Sequence, residues 1–356
     1  MSASIFQEGS RRYSAAMRGI PDRVPVYAQI HEFALNELNV SPKKFYATPE
    51  LFIKGSLDTM EAYGIDVAVL DYDVYNIEAE ALGQAIIYSD MGMPDVDRTK
   101  PLIRDKSDLK KIRTPDFEKD GRFPIVLEMN RLFQEMTGCV EGSPSFCAPF
   151  SLAANIRGIE QLLMDMYVDP EFAKELFDRL TEDVLVPWIL QLKKTWPEAT
   201  GICGNDAFAS IPIVNLEIIE HWILPYVKQL QEQCGPGVYV PNWVGESFLK
   251  NPVELLDLKL NACPGFVEGQ DPDVELLGPS FYKTYANKRG VPLVLGVGAA
   301  FLAQGKPGDI RDRVRQYIEV GGKGGRLALY LCNLGATTPP ENVRAVVQAI
   351  QEYGVY

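Results

Sequence analysis

Short runs of consecutive apolar residues recur along the chain, and most are followed by a pattern typical of a helix. Continuous apolar character is typical of strands that are buried on both faces, as in a parallel sheet. The pattern predicts eight strands, at Val24–Gln29, Asp66–Leu70, Ser145–Ala148, Thr200–Asn205, Gly237–Pro241, Gly265–Glu268, Val291–Gly296 and Leu327–Cys332. Eight strand–helix units favour an α/β fold of the (β/α)8 TIM-barrel type over an open doubly wound sheet.

Several helix starts are marked by a capping residue that precedes a proline. Thr48, Asp169 and Asn251 each stand before a proline, which is favoured in the first helical turn. Thr338 has Glu341 three residues later, a spacing that predicts a capping box. The glycine-rich run 321–325 lacks the spacing of a phosphate-binding loop and is interpreted as a helix end and turn.

The interval between the second and third predicted strands is longer than the others. It spans about residues 72–142, with a helix predicted from about Pro124 to Thr137. We interpret it as an insertion over the mouth of the barrel. Because no internal repeat or interdomain linker is visible, the chain is predicted to form one domain, residues 1–356.

Composition and charge narrow the range of partners. The 356-residue chain has a net charge of −13, which disfavours nucleic-acid binding because a basic face would be needed. It has no apolar stretch long enough to span a membrane and no signal-peptide pattern at its start. Its six cysteines form no CxxC pair, so we expect free thiols in a reducing cytoplasm.

In TIM barrels the catalytic groups lie at the carboxyl ends of the strands. Those ends supply carboxylates, a histidine, a thiol, amides and aromatic rings, at His31, Glu32, Asp71, Tyr72, Asp73, Cys147, Asn205, Asp206, Asn242, Trp243, Glu268, Cys332 and Asn333. This set suits a metal or acid–base site with an aromatic pocket.

Structural interpretations stay open for the same residues. Cys332 fits a buried structural thiol, and Asp206 fits a helix cap. His31 fits a capping or packing role. The rings of Tyr72, Tyr239 and Trp243 fit core positions, whereas His221 is predicted to lie on a solvated helix.

Four segments carry a resemblance to a known family. They are the opening segment with Arg12 and 16–25, the second-loop segment 76–83 followed by Gly92-Met93-Pro94, the stretch 148–153 with Asp169-Pro170-Glu171, and the closing segment 332–343. Together they resemble the uroporphyrinogen decarboxylase superfamily, and within it the corrinoid-dependent methyltransferases. The resemblance covers nearly the whole chain and implies a TIM barrel.

The decarboxylases of this superfamily carry arginines just after the first strand, which bind the carboxylates of the substrate. Here that segment, 29–34, contains no arginine. The resemblance therefore favours the methyltransferase branch.

Branch members that methylate coenzyme M hold zinc with a His-x-Cys on the fifth strand and a cysteine on the eighth. Cys332 matches the eighth-strand position, but residues 238–243 on the fifth strand contain neither histidine nor cysteine. The resemblance implies Cys332 and Glu268 as metal ligands, with His31 as a further candidate, and zinc as a candidate cofactor.

The resemblance predicts transfer of a methyl group from an aromatic methyl ether to cob(I)alamin on a corrinoid carrier protein, the expected partner. His31, Asp206 or Tyr72 would supply a proton if no metal is bound. The donor ring would lie between Phe150, Tyr239 and Trp243, and Asn205 and Asn242 would orient its oxygen substituents. Three alternatives stay open: a methylcorrinoid:thiol methyltransferase, a decarboxylase-type tetrapyrrole enzyme and a non-catalytic corrinoid- or tetrapyrrole-binding module.

Overall fold

The computed structural model describes residues 3–90 and 92–356, with the side chain of His31 left undescribed. Most strands are short and lie inside the stretches that the apolar pattern predicts. Their bounds are β1 Val26–Ala28, β2 Ile86–Ile87, β3 Asp95–Val96, β4 Ser145–Cys147, β5 Ile202–Asn205, β6 Val238–Tyr239, β7 Val267–Gln270, β8 Leu293–Val297 and β9 Leu327–Leu331.

All strands except β2 and β3 run parallel in two sheets. One has the order β1-β9-β8-β7 and the other β4-β5-β6. The registers align Gln270 with Gly296, Gly296 with Tyr330, and Tyr330 with Tyr27, so these four residues form one row across the first sheet. The chain order and the parallel pairing confirm an α/β fold.

The second predicted strand forms no ladder among the described residues. In Asp66–Leu70 only Val67 makes a bridge, parallel to Tyr27, and the N–H of Leu70 donates to the carbonyl of Gly142 at 2.8 Å. On the other side, the N–H of Val240 after β6 donates to the carbonyl of Ala262 at 3.0 Å. The described ladders therefore do not close into one barrel sheet.

Helices follow most strands and cover the outward faces of the sheets. Their bounds are α1 Ala3–Arg18, α2 His31–Leu38, α3 Pro42–Ala47, α4 Pro49–Tyr63, α5 Ile77–Ala81, α6 Phe123–Thr137, α7 Pro149–Arg157, α8 Ile159–Val168, α9 Pro170–Arg179, α10 Val186–Thr195, α11 Leu216–Ile218, α12 Leu224–Cys234, α13 Val253–Ala262, α14 Asp273–Leu277, α15 Pro279–Arg289, α16 Ala299–Gln304, α17 Pro307–Gly321 and α18 Pro340–Tyr353.

Three of the predicted helix starts are confirmed to within a residue. Asp169 caps α9 by accepting the N–H of Phe172 at 3.1 Å. The capping box at Thr338 is wrong, because α18 begins at Pro340 and the Thr338 hydroxyl accepts the N–H of Gly335 instead. The glycine-rich run is confirmed as the end of α17.

The interval 72–142 contains α5, the antiparallel pair β2–β3 and α6. A buried ion pair fixes its start, because both outer nitrogens of Arg122 donate to the Asp73 carboxylate, at 2.9 and 2.7 Å. Contacts tie it to α7 and α2, since Asn155 Nδ2 donates to the carbonyl of Tyr75 at 2.6 Å and the N–H of Met93 donates to Glu32 Oε1 at 2.9 Å. Its identity as an insertion and the single-domain organisation stay predictions.

No helix among the described residues is long and apolar enough to cross a membrane. All six cysteines are free thiols, and His221 is exposed on its helical segment as predicted.

Candidate active site

Alternation along the strands determines which side chains face away from the helices. A Cβ on Gly204 would touch Phe146 and Val240, which belong to the core beneath the helices, so their neighbours on β4, β5 and β6 point the other way. The same alternation on the other strands defines one shared inner face. The inner face comprises Tyr27, Gln29, Val67, Val69, Asp71, Ser145, Cys147, Cys203, Asn205, Tyr239, Glu268, Gln270, Val294, Gly296, Ala328, Tyr330 and Cys332.

A hydrogen-bonded network lies on the inner face of β7 and β9. The Tyr330 hydroxyl donates to Gln270 Oε1 at 2.7 Å, and Glu268 Oε1 is its second acceptor at 3.2 Å. The Cys332 thiol donates to the same Gln270 oxygen at 3.4 Å. Two strands that are not neighbours are therefore joined through one phenol, and the predicted ligands Cys332 and Glu268 belong to one network.

This network exists because position 296 on the intervening strand β8 is a glycine. A Cβ there would lie 2.5 Å from two carbons of the Tyr330 ring and 2.7 Å from Cys332 Sγ. The Tyr330 ring therefore lies across the backbone of β8 and reaches β7.

Aromatic rings extend from Tyr330 along the inner face. The Tyr27 ring stacks on it, with centroids 5.1 Å apart and planes 8° apart, and Tyr13 of α1 meets Tyr27 edge-on at 6.0 Å. Tyr239 meets Phe266 edge-on at 5.9 Å. Sequence reasoning missed Tyr27 and Tyr330, although both occupy strand positions of the inner-face parity.

Burial changes the acid–base properties of the network. Desolvation raises the pKa of the Glu268 carboxyl, against the opposing influence of Lys259 and of the hydrogen bond from Tyr330. Desolvation also raises the pKa of the Cys332 thiol well above its usual value. Without a metal ion, Cys332 is therefore a protonated thiol that donates its hydrogen to Gln270.

Asp206 joins the ends of three strands. Its Oδ1 accepts the N–H of Ser151 at 2.9 Å, its Oδ2 accepts Trp243 Nε1–H at 3.3 Å, and its own N–H donates to Asn242 Oδ1 at 2.9 Å. Burial raises the pKa of the Asp206 carboxyl to about 6, against the hydrogen bonds that favour the charged form. Both oxygens of Asp206 are thus engaged by neighbours, as expected of a group that holds strand ends together.

The other predicted residues divide between the inner face and the core. Tyr72 is buried, and its hydroxyl donates to the carbonyl of Ser145 at 3.1 Å. Asn205 and Tyr239 lie on the inner face. Phe150 and Trp243 have no exposed surface, and Phe150 stacks on Phe177 with centroids 6.1 Å apart, so a role in holding a substrate ring stays a prediction.

Two residues of the interval 72–142 reach the strand ends and were not singled out from the sequence. The Tyr75 hydroxyl accepts a hydrogen bond from Asn242 Nδ2 at 3.1 Å. Glu78 Oε1 accepts the N–H of Cys147 at 3.0 Å, at the edge of β4 where the second predicted strand makes no ladder. Burial raises the pKa of Glu78 to about 8. The only sequence signal was that Glu78 lies in the second-loop segment.

A metal site needs more ligands than this face assembles. Among residues 3–90 and 92–356, no group of three or more His, Cys, Asp or Glu residues comes together that could hold a metal ion. Catalytic zinc is usually held by three protein ligands, whereas the network offers Cys332 and Glu268. The side chain of His31 lies outside the described residues. The donor set as described does not fit a catalytic zinc ion, and we derive no step through one.

Comparison with known proteins shows which family the chain is similar to. Residues 9–353 match the family model described as uroporphyrinogen decarboxylase (URO-D). A methylated-thiol–coenzyme M methyltransferase of Methanosarcina mazei is 24% identical over 356 aligned residues, covering 96% of this chain and 88% of that protein. A uroporphyrinogen decarboxylase of Syntrophotalea carbinolica is 31% identical over 250 residues, covering 68% of this chain and 66% of that protein.

The solved structures show a similar fold. A methyltransferase from Methanosarcina mazei superposes with a TM-score of 0.77 at 19% identity, covering 97% of this chain and 99% of that one. At this identity the likeness is evidence for the fold alone.

Proposed function

Because the chain belongs to the uroporphyrinogen decarboxylase (URO-D) family, we propose that it is a methyltransferase that passes a methyl group from a small donor to the reduced corrinoid of a carrier protein. The similarity to a methyltransferase over nearly its whole length supports this activity. The segment after β1, residues 29–34, lacks arginine, which argues against a substrate with many carboxylates. We take the two sheets as parts of one (β/α)8 barrel, with the inner face as its interior.

The donor in this proposal is an aromatic methyl ether. The inner face offers aromatic surface at Tyr27 and Tyr239 and uncharged amides at Asn205 and Gln270. Loss of the methyl group turns the ether oxygen into a phenolate, whose conjugate acid has a pKa of about 10 by analogy with tyrosine. Departure of that oxygen therefore requires a hydrogen bond or a proton from the protein.

The network around Tyr330 carries the proposal, because it places two O–H groups side by side on the inner face. Tyr330 presents its hydroxyl between two acceptors, Glu268 and Gln270. Burial keeps the Glu268 carboxyl protonated to higher pH than an ordinary glutamate. We assign Glu268 and Tyr330 to the leaving oxygen: one carboxyl proton moves to the phenolate as the carbon–oxygen bond breaks, and Tyr330 stabilises the carboxylate that remains.

The other predicted proton donors are less well placed. Both Asp206 oxygens accept N–H groups, and the Tyr72 hydroxyl donates to a backbone carbonyl. Holding strand ends together accounts for these bonds. A zinc ion on Cys332 and Glu268 stays a prediction that metal analysis can test.

The test measures methylation of the reduced corrinoid protein by a methoxyarene, followed by its absorption change, for wild type and Tyr330→Phe. We expect a fall of about 10- to 150-fold in kcat, because Tyr330→Phe removes a hydrogen bond to a charged group, worth about 1.5–3 kcal/mol. Tyr285→Phe is the matched control, because its hydroxyl donates to Asp257 on the helical layer. Equal rates in all three proteins would refute the assignment of Tyr330.

The same purified protein can be assayed for two other reactions of the family. Release of carbon dioxide from uroporphyrinogen would identify a decarboxylase. The 31% identity to a uroporphyrinogen decarboxylase is the reason for this assay. Methyl transfer from a methylated thiol, without any from a methoxyarene, would identify the activity named for the Methanosarcina mazei relative.

A further inference from the structure

The inner face has an unusual balance of charge. Among its members, Asp71 and Glu268 are acids, and none is a lysine, arginine or histidine. The rest are tyrosines, amides, thiols, a serine and small or apolar residues. A ligand within this face therefore meets carboxyl groups and uncharged dipoles.

Two buried cations close to the strands are already paired. Lys259 Nζ donates to Glu246 Oε1 at 2.7 Å and to the carbonyl of Glu268 at 2.5 Å. Arg122 is held by both oxygens of Asp73. Each cation is buried against its own carboxylate, so neither offers a free charge to a ligand.

Side chains of the inner face keep accessible surface although sheets and helices surround them. Tyr27, Gln29, Cys203, Asn205 and Gln270 are all partly exposed. The accessible groups of this face are therefore mainly amides and phenols, which hydrogen-bond to hydroxyl, ether or amide groups without adding a counter-charge.

We infer that the inner face selects methyl donors without a negative charge, that is, uncharged methoxyarenes, and rejects ring carboxylates such as methoxybenzoates. This inference rests on the proposed function. A carboxylate entering this face would lose its hydration, gain no cation among the described side chains and approach the carboxyl group of Asp71. A hydroxyl or amide substituent would lose only hydrogen bonds that Asn205 and Gln270 replace.

The test is a binding measurement with two probes of the same shape, 2-methoxybenzamide and 2-methoxybenzoate. Calorimetric titration of the full chain at pH 7.5, without corrinoid, gives both dissociation constants. Because the benzoate loses the hydration of its carboxylate without gaining a cation, we expect it to bind at least about a hundredfold more weakly than the benzamide. Equal or tighter binding of the benzoate overturns the inference, and so does the absence of binding by both probes.

Variants that add a positive charge to the inner face give a second test. Gln270→Lys places a cation on the inner face, and Asn205→Lys does so from another strand in case the first variant fails to fold. Either variant should strengthen benzoate binding at least about tenfold and leave benzamide binding unimproved. Gln351→Lys adds the same charge on the exposed face of α18 and should change neither constant. The inference is overturned if a new lysine strengthens the binding of both probes alike, or if its effect on benzoate binding equals that of Gln351→Lys.

Binding also separates this inference from the proposed function. Selective binding of the benzamide without methyl transfer to a reduced corrinoid would keep the charge selection and refute the activity. Efficient demethylation of the benzoate would keep the activity and refute the charge selection.

Discussion

The ring of Tyr330 occupies the space that a side chain at Gly296 would fill. The two residues are direct neighbours in the β8–β9 register, and a Cβ at position 296 would lie 2.5 Å from the ring. The glycine thus allows a side chain of β9 to bond to Gln270 of β7 across the strand between them. One missing methyl group determines whether the proposed proton network forms.

Gly296→Ala should displace the Tyr330 ring and uncouple it from Gln270. Overpacking of this kind costs about 1–3 kcal/mol of unfolding free energy, so the variant should fold but lose methyl transfer. Urea denaturation and the corrinoid assay measure the two effects. Gly308→Ala is the control, because a Cβ there meets nothing within 4 Å. Full activity in Gly296→Ala would contradict the role of the network.

Substitutions of Cys332 separate its hydrogen bond from its thiol chemistry. Cys332→Ser keeps a donor for Gln270, whereas Cys332→Ala removes it. If the thiol holds a metal, both variants should lose activity and zinc, although a change at a strand end costs only about 0.5–3 kcal/mol of stability. Elemental analysis measures the zinc content of each protein, and the corrinoid assay measures its activity. An active Cys332→Ser with an inactive Cys332→Ala would assign a hydrogen-bonding role instead.

Glu78 should give the stability of the fold a pH dependence. Its pKa is about 8 in the folded chain, against 4.5 for the free side chain, so the folded state binds more protons. The unfolding free energy of the wild type, relative to Glu78→Gln, should therefore fall as the pH rises from about 4.5 to about 8, and level off above. Denaturation at a series of pH values measures it. A difference that is constant or rises with pH would contradict the burial of this group.

Lys259 and Glu246 form a buried ion pair whose side chains are 3% and 0% exposed. Lys259→Met should cost about 3–5 kcal/mol of unfolding free energy, because an unpaired carboxylate stays buried. The double variant Lys259→Met with Glu246→Leu should recover most of that loss. Lys54→Met is the control, since its partner Asp58 is on the exposed surface of α4. Additive losses in the double variant would contradict a coupled pair.

The sequence predicted what local pattern determines, and it failed where side chains from distant segments meet. Apolar runs located most strands to within a few residues, because burial on both faces requires continuous apolar character. The run Asp66–Leu70 has the same pattern but makes only one bridge, since ladder formation depends on neighbours that the run does not encode.

The same limit applies to the candidate site. The position of Cys332 at a strand end predicted that it faces the site, and it lies on the inner face. Tyr330 was missed because its role depends on the absence of a side chain at Gly296, 34 positions away on another strand. No single-segment pattern reports such a relationship.

The edge of β4 that faces the run Asp66–Leu70, where no ladder forms, has an evolutionary consequence. There the side-chain carboxyl group of Glu78 accepts the N–H of Cys147, a position that a neighbouring strand usually fills with a backbone carbonyl. A backbone ladder survives most substitutions, because every residue type supplies the same carbonyl. Where side chains make such bonds, a single mutation at position 78 can loosen or tighten the contact. The packing of β4 against the run Asp66–Leu70 is therefore a trait that descendants of this chain can alter without rebuilding a strand.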